Sequence, residues 1–234
     1  MKKNSPNEKV KIPLSADEVQ SIILKVIENE DISKLDNLRQ RHPNIQFDCL
    51  LRGYIGEYAI EKWVNSFGIF FENSNIIEEE DNIDIDFLYK GKNLELKTSL
   101  VPDADVSVDT AILKRDIKLI KRGNTPIENL KGDIHLQIYY DQKRKAKDDW
   151  LKNQKIDLNS RDIRYLYDQI GAKAYLNRTY FVGWIDKKSI IQKINQLPNN
   201  QQYWSFKGSK REFWSCKIVD SFRPIELIDY LRNI

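Results

Sequence analysis

One segment, residues 82–98, constrains the fold of this 234-residue chain more than any other. Its apolar residues alternate with polar ones on both sides of Gly91 and Lys92, and a period of two is typical of β-strands. Glycine in the first position of a turn permits a tight two-residue loop of type II′. The sequence therefore predicts a β-hairpin of two short strands with Gly91 and Lys92 as the loop.

Three charged residues of this hairpin are out of phase with its apolar pattern. With the loop placed as above, Asp86 pairs with Lys97, and Glu95 points to the same face of the sheet. Carboxylate oxygens are the ligands that Mg²⁺ prefers, and a lysine beside them can orient or deprotonate an attacking water. The pattern predicts a metal-dependent hydrolytic site, with an exposed face of ordinary charges as the alternative. Asp84 lies on the same face and competes with Asp86 as a ligand.

The composition is that of a folded globular protein, with 41% hydrophobic and 31% charged residues. No apolar run approaches the roughly 18 to 20 residues that span a bilayer, and the polar N-terminus does not resemble a secretory signal. We therefore expect a cytoplasmic protein without a membrane partner. The two cysteines and two histidines are isolated in the sequence, which argues against zinc and disulfides. His135 is predicted to be a structural residue of a strand.

Periodicity gives a coarse order of elements. Ser15 and Glu18 form a capping box in front of an amphipathic helix. Further helices are predicted over residues 32–41, 45–67 and 109–121, and further strands at 69–71 and 134–140. The order of helix, three strands, helix and strand predicts an α/β fold, in which helices flank a central mixed β-sheet. The chain then continues into an α+β extension, with helices near 161–177, 187–197 and 224–232 and a hairpin within 203–219.

The residues of the hairpin resemble the PD-(D/E)xK nuclease superfamily, in which an aspartate is followed at some distance by Glu-x-Lys on the next strand. The matching residues are Asp86, Glu95 and Lys97. Glu57, on the preceding helix, resembles the further acidic residue that such families often carry. The residue before Asp86 is Ile85 rather than proline, a departure from the superfamily name. The Pro102-Asp103 pair follows Glu-x-Lys, so it does not fit the pattern.

The resemblance implies a particular fold and site. The fold is a restriction-endonuclease-like core over about residues 45–140, within a single nuclease domain spanning 1–234. Residues 15–42 and 141–234 then serve DNA recognition or dimerisation. Mg²⁺ is bound by Asp86 or Asp84, by Glu95 and by the Leu96 carbonyl oxygen, with Glu57 on a second cation. Lys97 completes the catalytic set.

The implied function is that of a type II restriction enzyme, which cuts double-stranded DNA as a homodimer and can be encoded with a cognate DNA methyltransferase. A structure-specific or nicking nuclease and a non-catalytic nucleic-acid-binding protein are the alternatives. Basic residues cluster near 114–122, 143–147 and 207–211, as phosphate contacts require, although each cluster can also be a solvated surface. The aromatic residues at 203–214 are expected to be mainly core.

Overall fold

The computed structural model describes residues 3–29, 41–72, 85–121, 123–206 and 211–234. The α-helices within them are α1 (Ala16–Asn29), α2 (Pro43–Asn65), α3 (Val108–Lys114), α4 (Arg144–Lys152), α5 (Ile163–Gln169), α6 (Lys187–Asn195) and α7 (Glu226–Arg232). The strands are β1 (Val10–Lys11), β2 (Phe87–Tyr89), β3 (Lys92–Val101), β4 (Leu119–Lys121), β5 (Ile134–Lys143), β6 (Thr179–Asp186), β7 (Tyr203–Ser205) and β8 (Glu212–Trp214). Asp84 and most of the helix predicted at 32–41 lie outside the described residues.

The main sheet has five strands in the order β1, β6, β5, β3, β2. Strands β3 and β5 are parallel, and every other neighbouring pair is antiparallel. A parallel pair needs a crossover connection, which the segment containing α3 supplies. This arrangement confirms the predicted class, a mixed α/β fold whose sheet is flanked by helices.

A second sheet of three antiparallel strands, ordered β4, β8, β7, lies beside the first. The helix predicted over 109–121 is wrong in its second half, because α3 ends at Lys114 and β4 pairs with β8 instead. Ile117 and Leu119 are fully buried against this sheet. Tertiary burial therefore overrides the helical spacing of the apolar residues.

Helix α1 packs against α2 and α5, and α2 packs against β3 and β6 of the main sheet. The capping box at the start of α1 is confirmed, since the Ser15 N–H donates to Glu18 Oε2 at 2.7 Å and the Glu18 N–H donates to Ser15 Oγ at 3.1 Å. Helix α2 approaches β3 so closely at Gly56 that a Cβ there would lie 2.5 Å from Thr98 Cγ2. A glycine is needed at this contact, which fixes the position of α2 over β3.

The remaining predictions hold to different degrees. The strand predicted at 69–71 is reduced to one bridge between Glu72 and Leu88. The helix predicted near 161–177 is shorter, ending at Gln169 and followed by a 3₁₀ turn, whereas α6, α7 and the β7–β8 hairpin are confirmed. No helix in the described ranges is long and apolar enough to cross a membrane.

Candidate functional site

The hairpin turn differs from the one that the sequence predicts. Lys90 and Gly91 have φ angles of 47° and 73°, and positive values at both central positions are those of a type I′ turn. The loop is therefore Lys90 and Gly91 rather than Gly91 and Lys92. Phe87 pairs with Leu94, so the register differs by two residues from the predicted one, and the regular pairing ends there, before Asp86. Asp86 nevertheless lies near both residues, since the charges of Lys97 and Glu95 both act on its carboxyl group.

Asp86 ends the pairing between β2 and β3. Its N–H donates to the Leu94 carbonyl oxygen at 3.1 Å, and its side-chain Oδ2 accepts a hydrogen bond from the Leu96 N–H at 2.5 Å. The carboxylate thus occupies the position that the next carbonyl of β2 would take. Since the N–H and C=O of one strand residue point to the same side, the Leu96 carbonyl oxygen also faces the Asp86 side of β3.

Both oxygens of Glu95 have cationic or imidazole neighbours. Lys97 Nζ lies 2.7 Å from Oε1, and His135 Nδ1 lies 3.1 Å from Oε2. His135 belongs to β5, where the parallel register places it directly beside Glu95, and it is 2% exposed. Sequence reasoning missed this contact, because it depends on which strand neighbours β3, and alternation within a strand carries no such information.

Glu95 and Asp86 titrate in opposite directions. Burial raises the pKa of Asp86 to about 7, and the charges of Glu57 and Glu95 add to this effect against Lys97 and the Leu96 amide. Burial also disfavours the Glu95 anion, but His135 and Lys97 outweigh it and lower the pKa of Glu95 to about 2. Carboxyl groups whose pKa values are driven apart by their surroundings are typical of functional sites.

Glu57 lies on α2, one residue after the glycine that contacts β3, and is partly buried. Its carboxylate is one of the charges that raise the pKa of Asp86, so the two groups interact across the site. The structure therefore brings together Asp86, Glu95, Lys97 and Glu57, the four side chains singled out from the sequence.

Gln137 holds the backbone behind Lys97. It is fully buried, and its Nε2 donates to the Lys97 carbonyl oxygen at 2.9 Å and to Ser99 Oγ at 3.1 Å. Its Oε1 accepts from the Lys118 N–H at 3.2 Å. This amide ties β3 to β5 and to the segment before β4, which fixes the strand that carries Glu95 and Lys97.

The donor atoms fit a hard divalent cation. Asp86, Glu95 and the Leu96 carbonyl supply oxygen atoms, the ligands that Mg²⁺ selects. Among the described residues, no three His, Cys, Asp or Glu side chains are gathered closely enough to hold a metal ion by themselves. Mg²⁺ is usually held by one or two carboxylates with several waters, and each Glu95 oxygen has a second lone pair besides the one facing Lys97 or His135.

A cleft of about 470 Å³ opens beside Lys97 and is called the basic cleft below. Nine of its lining side chains are cationic and three are carboxylates, and the cations include Lys97, Lys114, Arg144 and Arg211. They come from β3, α3, α4 and the start of β8, so the fold collects basic residues that are far apart in sequence. Residues from all three predicted basic clusters thus reach one surface, with only Arg144 from the second and Arg211 from the third.

Other residues of these clusters do not face the cleft. Lys147 is 7% exposed and donates to the Ile170 carbonyl oxygen at 2.5 Å, with Asp48 at 3.6 Å. Lys121 pairs with Glu212 at 2.7 Å. Both lysines stabilise the fold instead of presenting a surface charge.

No protein-family model, curated protein or solved structure matches the chain. The case for a function therefore depends on the residues and geometry described above.

Proposed function

We propose that this protein is a Mg²⁺-dependent DNA endonuclease that hydrolyses phosphodiester bonds. The observation that carries the proposal is the arrangement on β2 and β3. The Asp86 carboxylate accepts from the Leu96 N–H of β3 and interacts with the charges of Glu95 and Lys97, and Lys97 Nζ is 2.7 Å from Glu95. Together with the basic cleft, this places acidic ligands and an ammonium group beside a surface that suits a phosphate backbone.

Mg²⁺ at Asp86, Glu95 and the Leu96 carbonyl would supply Lewis-acid stabilisation of the phosphate and a water of lowered pKa. Burial, with a smaller contribution from Glu57 and Glu95, raises the pKa of Asp86, and a bound dication would offset the cost of its charged form. Glu57 is the candidate for a second cation, directly or through water.

Lys97 has the position of the group that orients the attacking water and offsets charge on the phosphate in the transition state. Its salt bridge to Glu95 keeps the ammonium group at the metal ligands, and Gln137 fixes its backbone. His135 orients Glu95 from the neighbouring strand. The chain would thus hold the reacting groups in place before substrate arrives.

We further propose that the mixed sheet is a restriction-endonuclease-like core; the resemblance of Asp86, Glu95 and Lys97 to the superfamily's motif and the mixed sheet flanked by helices support this. On this reading the protein is a type II restriction enzyme that cuts both strands of duplex DNA as a homodimer. A structure-specific or nicking nuclease shares the same catalytic face, and the form of the cleavage products separates the two.

The test is incubation of supercoiled plasmid, linear duplex and branched DNA with the protein in Mg²⁺ or in EDTA. Lys97→Ala is compared with Lys92→Ala, which removes another lysine of β3, half-exposed and 3.9 Å from Asp133. We expect cleavage only with Mg²⁺, lost in Lys97→Ala and kept in Lys92→Ala.

The products decide the finer function. Discrete linear fragments support a restriction enzyme, and open circles support a nickase. If none of the three substrates is cut with Mg²⁺, the proposed enzymatic activity is contradicted. A non-catalytic nucleic-acid-binding protein is then the remaining alternative.

A further inference from the structure

An aromatic surface borders the basic cleft at the β7–β8 hairpin. Trp204 pairs with Phe213 across the two strands, and their rings stack at 4.8 Å with an interplanar angle of 22°. Phe206 packs edge-on against both rings, at 4.9 Å from Trp204 and 5.7 Å from Phe213. We call these three residues the aromatic panel.

The aromatic panel is only partly core, contrary to the expectation from the sequence. Phe213 is 4% exposed, but Phe206 is 42% exposed and Trp204 is partly exposed. All three side chains line the basic cleft together with Lys97 and Arg211. A large apolar side chain that remains exposed in a cavity is available to a ligand.

The charged and aromatic side chains of the basic cleft indicate what kind of ligand it can bind. Its excess of cationic side chains fits a phosphodiester backbone, and its aromatic rings fit the faces of nucleobases. In a continuous duplex those faces are covered by the neighbouring base pairs, so only an unstacked base offers a face to Phe206. A volume of about 470 Å³ falls in the range of pockets that enclose a ligand of nucleotide size.

We propose that the aromatic panel stacks against an unstacked nucleobase of the DNA strand that passes Lys97. The preferred substrate then carries a single-stranded or extrahelical nucleotide close to the cleavage position, which favours the structure-specific nuclease over the restriction enzyme among the two forms of the proposed function. This proposal rests on the proposed nuclease function for the identity of the strand, and stacking itself does not require catalysis.

Binding is tested with the whole chain in EDTA, so that no cleavage occurs. The probes are fluorescein-labelled DNAs of one sequence: a single strand, its duplex, and that duplex with one unpaired thymidine. We expect Phe206→Ala and Trp204→Leu each to weaken binding of the single strand and of the bulged duplex by about 10-fold. Affinity for the perfect duplex should change by less than about 2-fold, since phosphate contacts supply it.

Tyr203→Ala is the matched control. Tyr203 is also 42% exposed and lies on the same hairpin, but strand alternation points it to the other face, where its ring packs on Trp214 at 6.3 Å. Its loss should leave all three affinities unchanged. Equal weakening by Phe206→Ala for all three probes, or no weakening, would overturn the proposal.

Cleavage of the same probes in Mg²⁺ is measured separately. Binding that depends on Phe206 as expected, without any cleavage, would support the stacking proposal and contradict the proposed nuclease function. If Phe206→Ala cleaves the bulged duplex as fast as the wild type does, the nuclease function is supported and the stacking proposal is contradicted.

Discussion

Asp86 and Glu95 belong to one hairpin, yet the pKa of Asp86 is raised to about 7 and that of Glu95 is lowered to about 2. The difference comes from their partners. Glu95 has Lys97 and His135 on its two oxygens, whereas Asp86 is buried near two other carboxylates with the Leu96 amide as a compensating donor. At the scale of single residues, burial makes the charged form of Asp86 costly, whereas Glu95 is held as an anion by its partners.

The first prediction concerns stability without metal ions. The pKa of Asp86 in the folded chain lies above its ordinary value, so the folded state holds the proton more tightly than the unfolded state. Its contribution is fully present below about pH 4 and is lost as the pH rises through 7. Between pH 5 and pH 8 the free energy of unfolding of the wild type should fall by about 2 to 3 kcal/mol because of Asp86. This fall should be absent in Asp86→Asn.

Urea unfolding in EDTA at several pH values measures this change. Asp149→Asn is the control, because Asp149 is a half-exposed carboxylate on α4, 3.9 Å from Lys152. Asp149→Asn should keep the pH dependence of the wild type. Parallel curves for Asp86→Asn and the wild type would contradict the assignment.

The second prediction concerns His135, which acts through Glu95 and not on the substrate. His135→Ala should slow Mg²⁺-dependent cleavage by about 10-fold, the lower end of what loss of an outer-shell partner costs. His135→Gln, which keeps a hydrogen-bond donor, should recover part of the rate. DNA affinity in EDTA should stay the same for both variants, and a matching loss of affinity would argue for a purely structural role.

Much of the site can be predicted from the sequence, because alternation places Glu95 and Lys97 on one face of β3 and Asp86 belongs to the same hairpin. The predicted pairing of Asp86 with Lys97 is wrong, because the turn uses Lys90 in a left-handed conformation that lysine rarely adopts. His135 was missed because its contact depends on the parallel neighbour of β3.

At the scale of elements, α2 is set against the sheet by one glycine. A Cβ at Gly56 would lie 2.5 Å from Thr98 Cγ2 and 3.2 Å from Leu96 Cδ2, whereas a Cβ at Gly53 would meet no atom within 4 Å. Both glycines are inside the same helix, where alanine is the better helix former. The two positions therefore separate the packing effect from the helix propensity.

The third prediction follows from this pair. Gly56→Ala should lower the free energy of unfolding by about 1 to 3 kcal/mol, because the added methyl group forces α2 away from β3. Gly53→Ala should raise it by up to about 1 kcal/mol. Chemical denaturation of both variants gives the two values, and equal changes of the same sign would contradict the close contact at Gly56.

Element boundaries follow the sequence where a local signal exists. Ser15 and Glu18 start α1 as predicted, because the capping box is complete within four residues. The end of α3 has no such signal. Arg115 leaves the helix with extended backbone, and its guanidinium binds both oxygens of the buried Asp105 at 2.6 and 2.9 Å. A contact across ten residues decides that boundary, and periodicity cannot report it.

At the scale of the whole molecule, the fold gathers basic side chains from several elements into one cleft. Their effect on DNA binding should be electrostatic and independent of sequence. The net charge of +3 gives no hint of this surface, since the surplus is local. Only the packing of α3, α4 and the second sheet around the end of β3 creates it.

The fourth prediction tests that surface. Arg144 lines the basic cleft, whereas Lys188 is an exposed residue of α6 outside it. Arg144→Ala should weaken binding to all duplexes alike and reduce the slope of log affinity against log salt by about 1. Lys188→Ala should change neither quantity. Titrations at several salt concentrations measure both, and identical behaviour of the two variants would contradict a binding role for the cleft.

The most direct measurement of the central claim is the rate of DNA cleavage as a function of Mg²⁺ for the wild type, Glu95→Gln, Lys97→Ala and Lys92→Ala. We expect cleavage that requires Mg²⁺, rates about 100-fold lower or more in Glu95→Gln and Lys97→Ala, and a nearly unchanged rate in Lys92→Ala. Cleavage that proceeds equally in EDTA, or a Lys97→Ala variant as active as the wild type, would contradict the assignment of this hairpin as the active site.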